Sequence, residues 1–143
     1  MLTLIAALLA AAQPATAEPC TADQNCVTTG AAQMFAFADK LFKAGDLEGA
    51  AGVLQALTKD KHPELRAEAR FRLAAVYEKM GKLEASAEAL RALLDEQPDA
   101  GRARLELARI LSRLGDVKGA RAEITAAQRA GLPPEVQATV RNL

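Results

Sequence analysis

The segment AEARFRLAAVYEKMGKLEASAEALRALLDEQPDA, residues 67–100, decides the fold because the chain repeats its pattern. The next segment, GRARLELARILSRLGDVKGARAEITAAQRAGLPP, residues 101–134, places Ala, Leu and Gly at matching positions. Four columns recur with the same two intervals, 36 and 34 residues: Gly45, Gly81 and Gly115; Phe37, Leu73 and Leu107; Ala38, Ala74 and Ala108; Leu54, Leu90 and Ile124. Helical periodicity alone does not hold a phase over so many residues, so the chain contains an internal repeat.

Each copy of the repeat predicts a hairpin of two helices. Leu73, Val76 and Tyr77 fall at i, i+3 and i+4, the spacing of one apolar helix face. Gly81 follows that helix at the position where a left-handed residue ends it. A second apolar stripe, beginning at Leu83, predicts the second helix.

These columns resemble the tetratricopeptide repeat, a unit of about 34 residues with a glycine turn between two helices. The matching residues are Phe37, Ala38, Leu41, Gly45, Ala50 and Leu54, then Leu73, Ala74, Tyr77, Gly81, Leu90 and Pro98, then Leu107, Ala108, Leu111, Gly115, Ala120, Ile124 and Ala127. The chain departs from the family at the usual Trp, replaced by Met34, Arg70 and Arg104, and at a usual Ala, replaced by Ser86. The resemblance implies an all-α chain, an α-solenoid of about three hairpins in a repeat domain of residues 31–132, divided into 31–66, 67–100 and 101–132, with a C-terminal capping helix.

Residues 133–143, PPEVQATVRNL, predict that capping helix. Two prolines suit its start, and Val136, Val140 and Leu143 fall on one helix face. We expect the helix to cover the end of the third hairpin, because a stack of repeats leaves an apolar face open there.

The chain begins MLTLIAALLAAAQPATAEPC. A short apolar run followed by Ala15-Thr16-Ala17 is typical of a secretory signal peptide, here residues 1–17, cleaved after Ala17. No Lys or Arg precedes the run, and a buried N-terminal helix is the alternative interpretation. The signal predicts export to the periplasm of a Gram-negative bacterium, and residues 18–30 predict a flexible segment containing both cysteines.

The two cysteines, Cys20 and Cys26, predict a local disulfide, because such a pair can oxidise in an exported protein. Two free thiols are the alternative. A metal site requires more ligands than this pair, and the one histidine, His62, lies far along the chain. We therefore predict no metal.

In tetratricopeptide repeats the first helices line a groove that binds partners, and the resemblance implies which residues face it. These are Phe35, Asp39 and Phe42 in the first repeat, Phe71, Glu78 and Lys79 in the second, and Arg102, Arg109 and Arg113 in the third. The arginines share a helix face that suits an acidic segment or a C-terminal carboxylate. The alternative is a solvated face that pairs internally with Glu106 and other acids, and for the phenylalanines a place in the core.

Composition limits the function classes. The formal charge is zero, with 18 basic and 18 acidic residues, which argues against a nucleic-acid partner. The sequence contains no glycine-rich phosphate loop, no cluster of metal ligands and no Gly-x-Ser-x-Gly elbow. We predict no enzyme activity and no cofactor.

The sequence thus predicts an exported interaction module or scaffold that binds a protein or peptide segment, and it leaves the identity of that partner and the oligomeric state open. Contact with a membrane is expected only through an outer-membrane partner. The passage from Arg104 to Leu143 also resembles the N-terminal repeat domain of surface lipoprotein assembly modifier proteins. That resemblance implies a periplasmic domain or fragment of an outer-membrane machine. A self-associating envelope scaffold is a third hypothesis.

Overall fold

The computed structural model describes the backbone of residues 25–132 and the side chains of residues 30–132. All the regular secondary structure in the described part of the chain is α-helix, which confirms the predicted all-α solenoid. Its helices, in chain order, are α1 (Asn25–Ala44), α2 (Leu47–Leu57), α3 (Pro63–Lys79), α4 (Leu83–Glu96), α5 (Gly101–Arg113) and α6 (Val117–Arg129). None of these helices is long and apolar enough to cross a membrane.

The turn inside each hairpin is made by the repeated glycine. Gly45, Gly81 and Gly115 have φ values of 84°, 76° and 84°, in the left-handed region where a Cβ is strained. At the first turn, the amide of Asp46 donates to the carbonyl of Leu41 at 3.0 Å, which closes the end of α1. The glycine column of the sequence therefore marks the reversal of the chain between first and second helices.

Three groups of buried side chains form the core of the described residues, and α3 belongs to the two larger ones. Leu73 and Val76 pack with α1 and α2, whereas Ala67 and Ala74 pack with α4 and α5. A helix inside a stack must be apolar on two faces, because it is covered on both sides. Helix α3 therefore joins the first hairpin to the last.

The column Phe37, Leu73 and Leu107 has two buried members and one exposed member. Leu73 and Leu107 are 5% and 2% exposed, whereas Phe37 is 53% exposed. The helix before each buried leucine, α2 or α4, covers it, and among residues 25–132 no helix precedes α1. The exposure of Phe37 follows from its place in the first described hairpin.

Helix α1 begins at Asn25, inside the segment 18–30 that was expected to be flexible. Residues 25–30 of that segment are helical, and its flexibility stays a prediction. The segment lacks proline between Asn25 and Gly30. The buried Ala31 and Phe35 anchor the helix, and each residue added before them forms about one further hydrogen bond. The predicted signal peptide 1–17 and the predicted capping helix 133–143 lie outside the described residues.

Candidate functional site

The first helices α1, α3 and α5 carry the residues expected to face a partner, and we call their exposed side the groove. Between α3 and α5 the groove contains a pocket of about 220 Å³. Its floor is mostly apolar, because Ala74, Leu90 and Ile110 are buried there. The remaining lining residues are Phe71, Ala75, Glu78, Ser86, Arg102, Glu106 and Arg109. The groove thus offers an apolar cavity bordered by charges of both signs.

A second, wider pocket of about 530 Å³ lies beside the first and shares Phe71 and Arg102 with it. Carboxylates lie around it, on Glu64, Glu68 and Asp99. Arg102 therefore lies between the apolar first pocket and the second pocket with its carboxylates.

Ser86 is the polar residue in the floor of the first pocket, where the family usually has Ala. Its side chain is 1% exposed, and its hydroxyl donates to the carbonyl of Ala74 at 2.8 Å. A buried hydroxyl without a partner is costly, and this bond satisfies it. The serine therefore connects α4 to α3 without adding an unpaired polar group to the pocket.

Two of the three phenylalanines predicted to face the groove, Phe35 and Phe71, each lie beneath an arginine. The guanidinium of Arg102 lies 5.3 Å from the ring centre of Phe71, and that of Arg72 lies 4.7 Å from the ring centre of Phe35. Both distances are within the range of cation–π attraction. Phe71 is half-buried in the pocket wall, whereas Phe35 is buried.

The prediction that Phe35 is a groove anchor is therefore corrected. Its ring packs into the core shared by α1, α2 and α3, so it presents little surface to a partner. This agrees with the alternative interpretation, in which the aromatic residue belongs to the core. Phe42 is 36% exposed on α1, and its place in the groove stays a prediction.

Glu78 and two of the predicted arginines form one ion-pair cluster. Arg109 binds Glu78 with two parallel hydrogen bonds, from Nη1 to Oε1 at 2.5 Å and from Nη2 to Oε2 at 2.6 Å. Arg113 donates from Nη1 to the same Oε1 of Glu78. Arg109 also donates to Glu106 on its own helix, at 2.7 Å from Nη2. The hydrogen bonds from Arg109 and the charges of both arginines hold the pKa of Glu78 below its usual range.

Arg102 differs from the other two arginines. It is exposed and stacks on Phe71, and no carboxylate among residues 30–132 forms an ion pair with it. The structure therefore separates the three arginines that the sequence grouped: Arg109 and Arg113 are paired within the chain, and Arg102 keeps its hydrogen-bond donors for another acceptor.

The acidic residue on α1 is also paired. Asp39 accepts a hydrogen bond from Arg72 Nη1 at 2.8 Å, and the same guanidinium binds Glu68 through Nε at 2.5 Å. Lys79 is exposed and forms no ion pair within the described part of the chain. The predicted disulfide concerns Cys20 and the side chain of Cys26, which both lie outside the described residues.

Sequence reasoning missed Arg72 and the contribution of α4 to the pocket. The alternative interpretation of the arginine face included a pair with Glu106, and Arg109 forms it at the i, i+3 spacing. The pairing of Arg109 with Glu78, 31 residues apart, depends on α3 and α5 lying side by side.

The helical hairpins stack one on the next, which makes the fold an α-solenoid, and the pocket lies on the side of its first helices. Two family models, both of the tetratricopeptide repeat, match residues 35–79 and 79–143. Together these matches span most of the chain, which belongs to the tetratricopeptide repeat proteins. No curated protein matches it.

Several solved structures share the fold. The type III secretion translocator chaperone SycD of Yersinia enterocolitica is 20% identical over 80% of this chain and 85% of SycD, with a TM-score of 0.69. SycD in complex with a peptide of the translocator YopD is 20% identical, over 77% and 86% of the two chains, with a TM-score of 0.68. PcrH, a Pseudomonas aeruginosa protein, in complex with the chaperone binding region of PopB is 21% identical over 80% and 91%, again with a TM-score of 0.68. At these identities the likeness concerns the fold.

Proposed function

We propose that the chain is a non-catalytic binding module that holds a segment of a partner protein in the groove. The observation that carries this proposal is the apolar pocket of about 220 Å³ between α3 and α5. Binding sites are usually preformed concave pockets with a mostly apolar lining and a few polar groups that orient the ligand.

The mechanism uses side chains of the described helices. One apolar side chain of the partner fills the space above Ala74, Leu90 and Ile110, where contact with buried groups supplies the affinity. Arg102 presents a planar fork of donors beside that space and sets the register by binding a carboxylate of the partner. No cofactor is needed for such binding.

The comparisons support a peptide ligand. SycD and PcrH share this fold; SycD is known in complex with a peptide of the translocator YopD, and PcrH with the chaperone binding region of PopB. At identities of 20% and 21% the likeness concerns the fold and does not extend to the identity of the ligand.

A pair of matched variants tests the proposal. Ala75 is exposed in the wall of the pocket, and Ala56 is exposed on the second helix α2. Peptides that bind the intact chain are selected from a displayed random library, and their affinities for Ala75→Arg and Ala56→Arg are compared. We expect Ala75→Arg to weaken binding at least about tenfold, or about 1.4 kcal/mol, and Ala56→Arg to bind as the unchanged chain does. Equal affinities for the two variants would place binding outside the groove.

We also propose that the protein is exported, on the strength of the apolar run before Ala17. Expression of the full chain in a Gram-negative host, followed by fractionation and mass spectrometry, tests this. A periplasmic product beginning at Glu18 is expected. A cytoplasmic product that keeps residues 1–17 would contradict export.

A second candidate function rests on the passage from Arg104 to Leu143 and its resemblance to surface lipoprotein assembly modifier proteins. On this proposal the repeat domain acts beside an outer-membrane domain that handles lipoproteins. The genomic reading frame around the coding sequence tests this proposal. An outer-membrane domain encoded in the same frame would favour it.

A further inference from the structure

The carboxylate of Glu78 occupies the arginine pair in the way that a bound ligand would. Two parallel hydrogen bonds from one guanidinium, as Arg109 gives to Glu78, are the usual arrangement for binding a free carboxylate. Arg113 completes the contact from the next turn of α5, at the same Oε1 atom. Glu78 belongs to a different helix, α3, so the contact crosses the groove.

The cluster is balanced in charge. Arg109 and Arg113 supply two positive charges, and Glu78 and Glu106 supply two negative charges. An acidic segment that took the same guanidinium donors would have to displace Glu78, whose side chain is 20% exposed. The arginines would form hydrogen bonds to the segment and lose those to Glu78, so the exchange would add little net affinity.

We propose that Glu78 is an internal competitor that closes Arg109 and Arg113 to acidic ligands and so determines the charge specificity of the groove. This inference rests on the proposed function for its biological meaning, since it names the chemistry of the segment that the groove accepts. That segment is apolar, enters the pocket beside Phe71, and carries no acidic cluster. A carboxylate on it is accepted at Arg102, which stacks on Phe71 and has no carboxylate partner within residues 30–132.

The test uses Glu78→Gln, which keeps the size of the side chain and removes its charge. The matched control is Glu88→Gln, because Glu88 is exposed on α4 and forms no ion pair within the described residues. Both variants change the net charge by the same amount. The probe is a fluorescein-labelled hexaglutamate peptide, and its affinity for the full chain is measured by fluorescence anisotropy at low salt. Circular dichroism confirms that each variant keeps its helical content.

We expect Glu78→Gln to bind hexaglutamate about tenfold more tightly than the unchanged chain, whereas Glu88→Gln gains less than about twofold. The gain should be lost when Arg109→Ala and Arg113→Ala are added to Glu78→Gln. Equal affinities for Glu78→Gln and Glu88→Gln, or a gain that survives loss of both arginines, would overturn the inference. Because hexaglutamate has no apolar side chain to fill the pocket, this result is independent of the Ala75→Arg experiment that tests the proposed function.

Discussion

Ser86 shows how one atom can alter a repeat without disturbing its packing. The position is buried, and the family usually places an alanine there; the added hydroxyl is accommodated by a hydrogen bond to the carbonyl of Ala74. The sequence revealed the departure from the family pattern but not the acceptor, because the acceptor lies on another helix.

Ser86→Ala should lower the free energy of unfolding by about 1 kcal/mol, the net value of a typical hydrogen bond inside a protein. Urea unfolding measures it. Ser112→Ala is the control, since Ser112 is exposed on α5 and its side chain makes no hydrogen bond among the described residues. An equal loss of unfolding free energy in both variants would contradict a stabilising role for the Ser86 hydroxyl.

Two glycines should respond to alanine in opposite directions. Gly115→Ala should destabilise the chain by roughly 1 kcal/mol or more, because φ at Gly115 is 84° and alanine is strained there. Gly52 lies exposed within α2, with nothing within 4 Å of an added Cβ. Gly52→Ala should therefore stabilise the chain by roughly 0.5–1 kcal/mol. Urea unfolding curves of the two variants decide this, and two shifts of the same sign would contradict it.

At the scale of the helices, the glycine and alanine columns correctly predicted the hairpins, because turn geometry and close helix contact depend on residues near in sequence. Exposure of the column members depends on the neighbouring hairpin, and local pattern did not reveal it for Phe37. The local pattern also did not reveal the partners of Arg70 and Arg104, which replace the usual Trp. They pair with Glu96 at 2.6 Å and Glu123 at 2.8 Å, each on the second helix of its hairpin.

Equivalent substitutions in two repeats should give unequal results. Leu107→Ala removes a side chain that is 2% exposed and should cost about 2–5 kcal/mol. Phe37→Ala removes a larger side chain that is 53% exposed and should cost less than about 1 kcal/mol. Thermal unfolding of the two variants provides the comparison. A large loss for Phe37→Ala would show that this residue is covered in the protein in solution.

The carboxylate of Glu96 joins the end of α4 to the start of α3 through Arg66, at 2.7 Å, and Arg70. Hydrogen bonds from Arg66 and then Arg70 lower the pKa of Glu96 to about 2, from an ordinary value of 4.5. A lowered pKa in the folded state stabilises the protein above pH 4.5, and this contribution is lost as the pH falls toward 2.

Glu96→Gln should therefore be less stable than the unchanged chain at pH 7, with a difference that shrinks between pH 4.5 and pH 2. Thermal midpoints across that range test the prediction. Asp95→Asn is the control, because Asp95 is exposed and forms no ion pair in the described part of the chain. A difference for Glu96→Gln that stays constant with pH would contradict the assignment.

In the molecule as a whole, the stacking of hairpins produces the groove, and the groove depends on which helices become neighbours. The repeat columns were sufficient to predict the solenoid and its first-helix surface. The division of the arginines, with Glu78 binding Arg109 and Arg113 while Arg102 covers Phe71, arises between helices and could not be derived from spacing along the chain. The groove is consequently less basic than the three arginines suggested.

The most direct test of the central claim is an amide NMR spectrum of the isotope-labelled chain, titrated with a peptide selected on it. If the groove binds the peptide, the largest shifts should fall at Phe71, Ala75 and Arg102, with little change at Ala56 on α2. Shifts centred on the second helices α2 and α6, with Phe71 and Ala75 unmoved, would contradict groove binding.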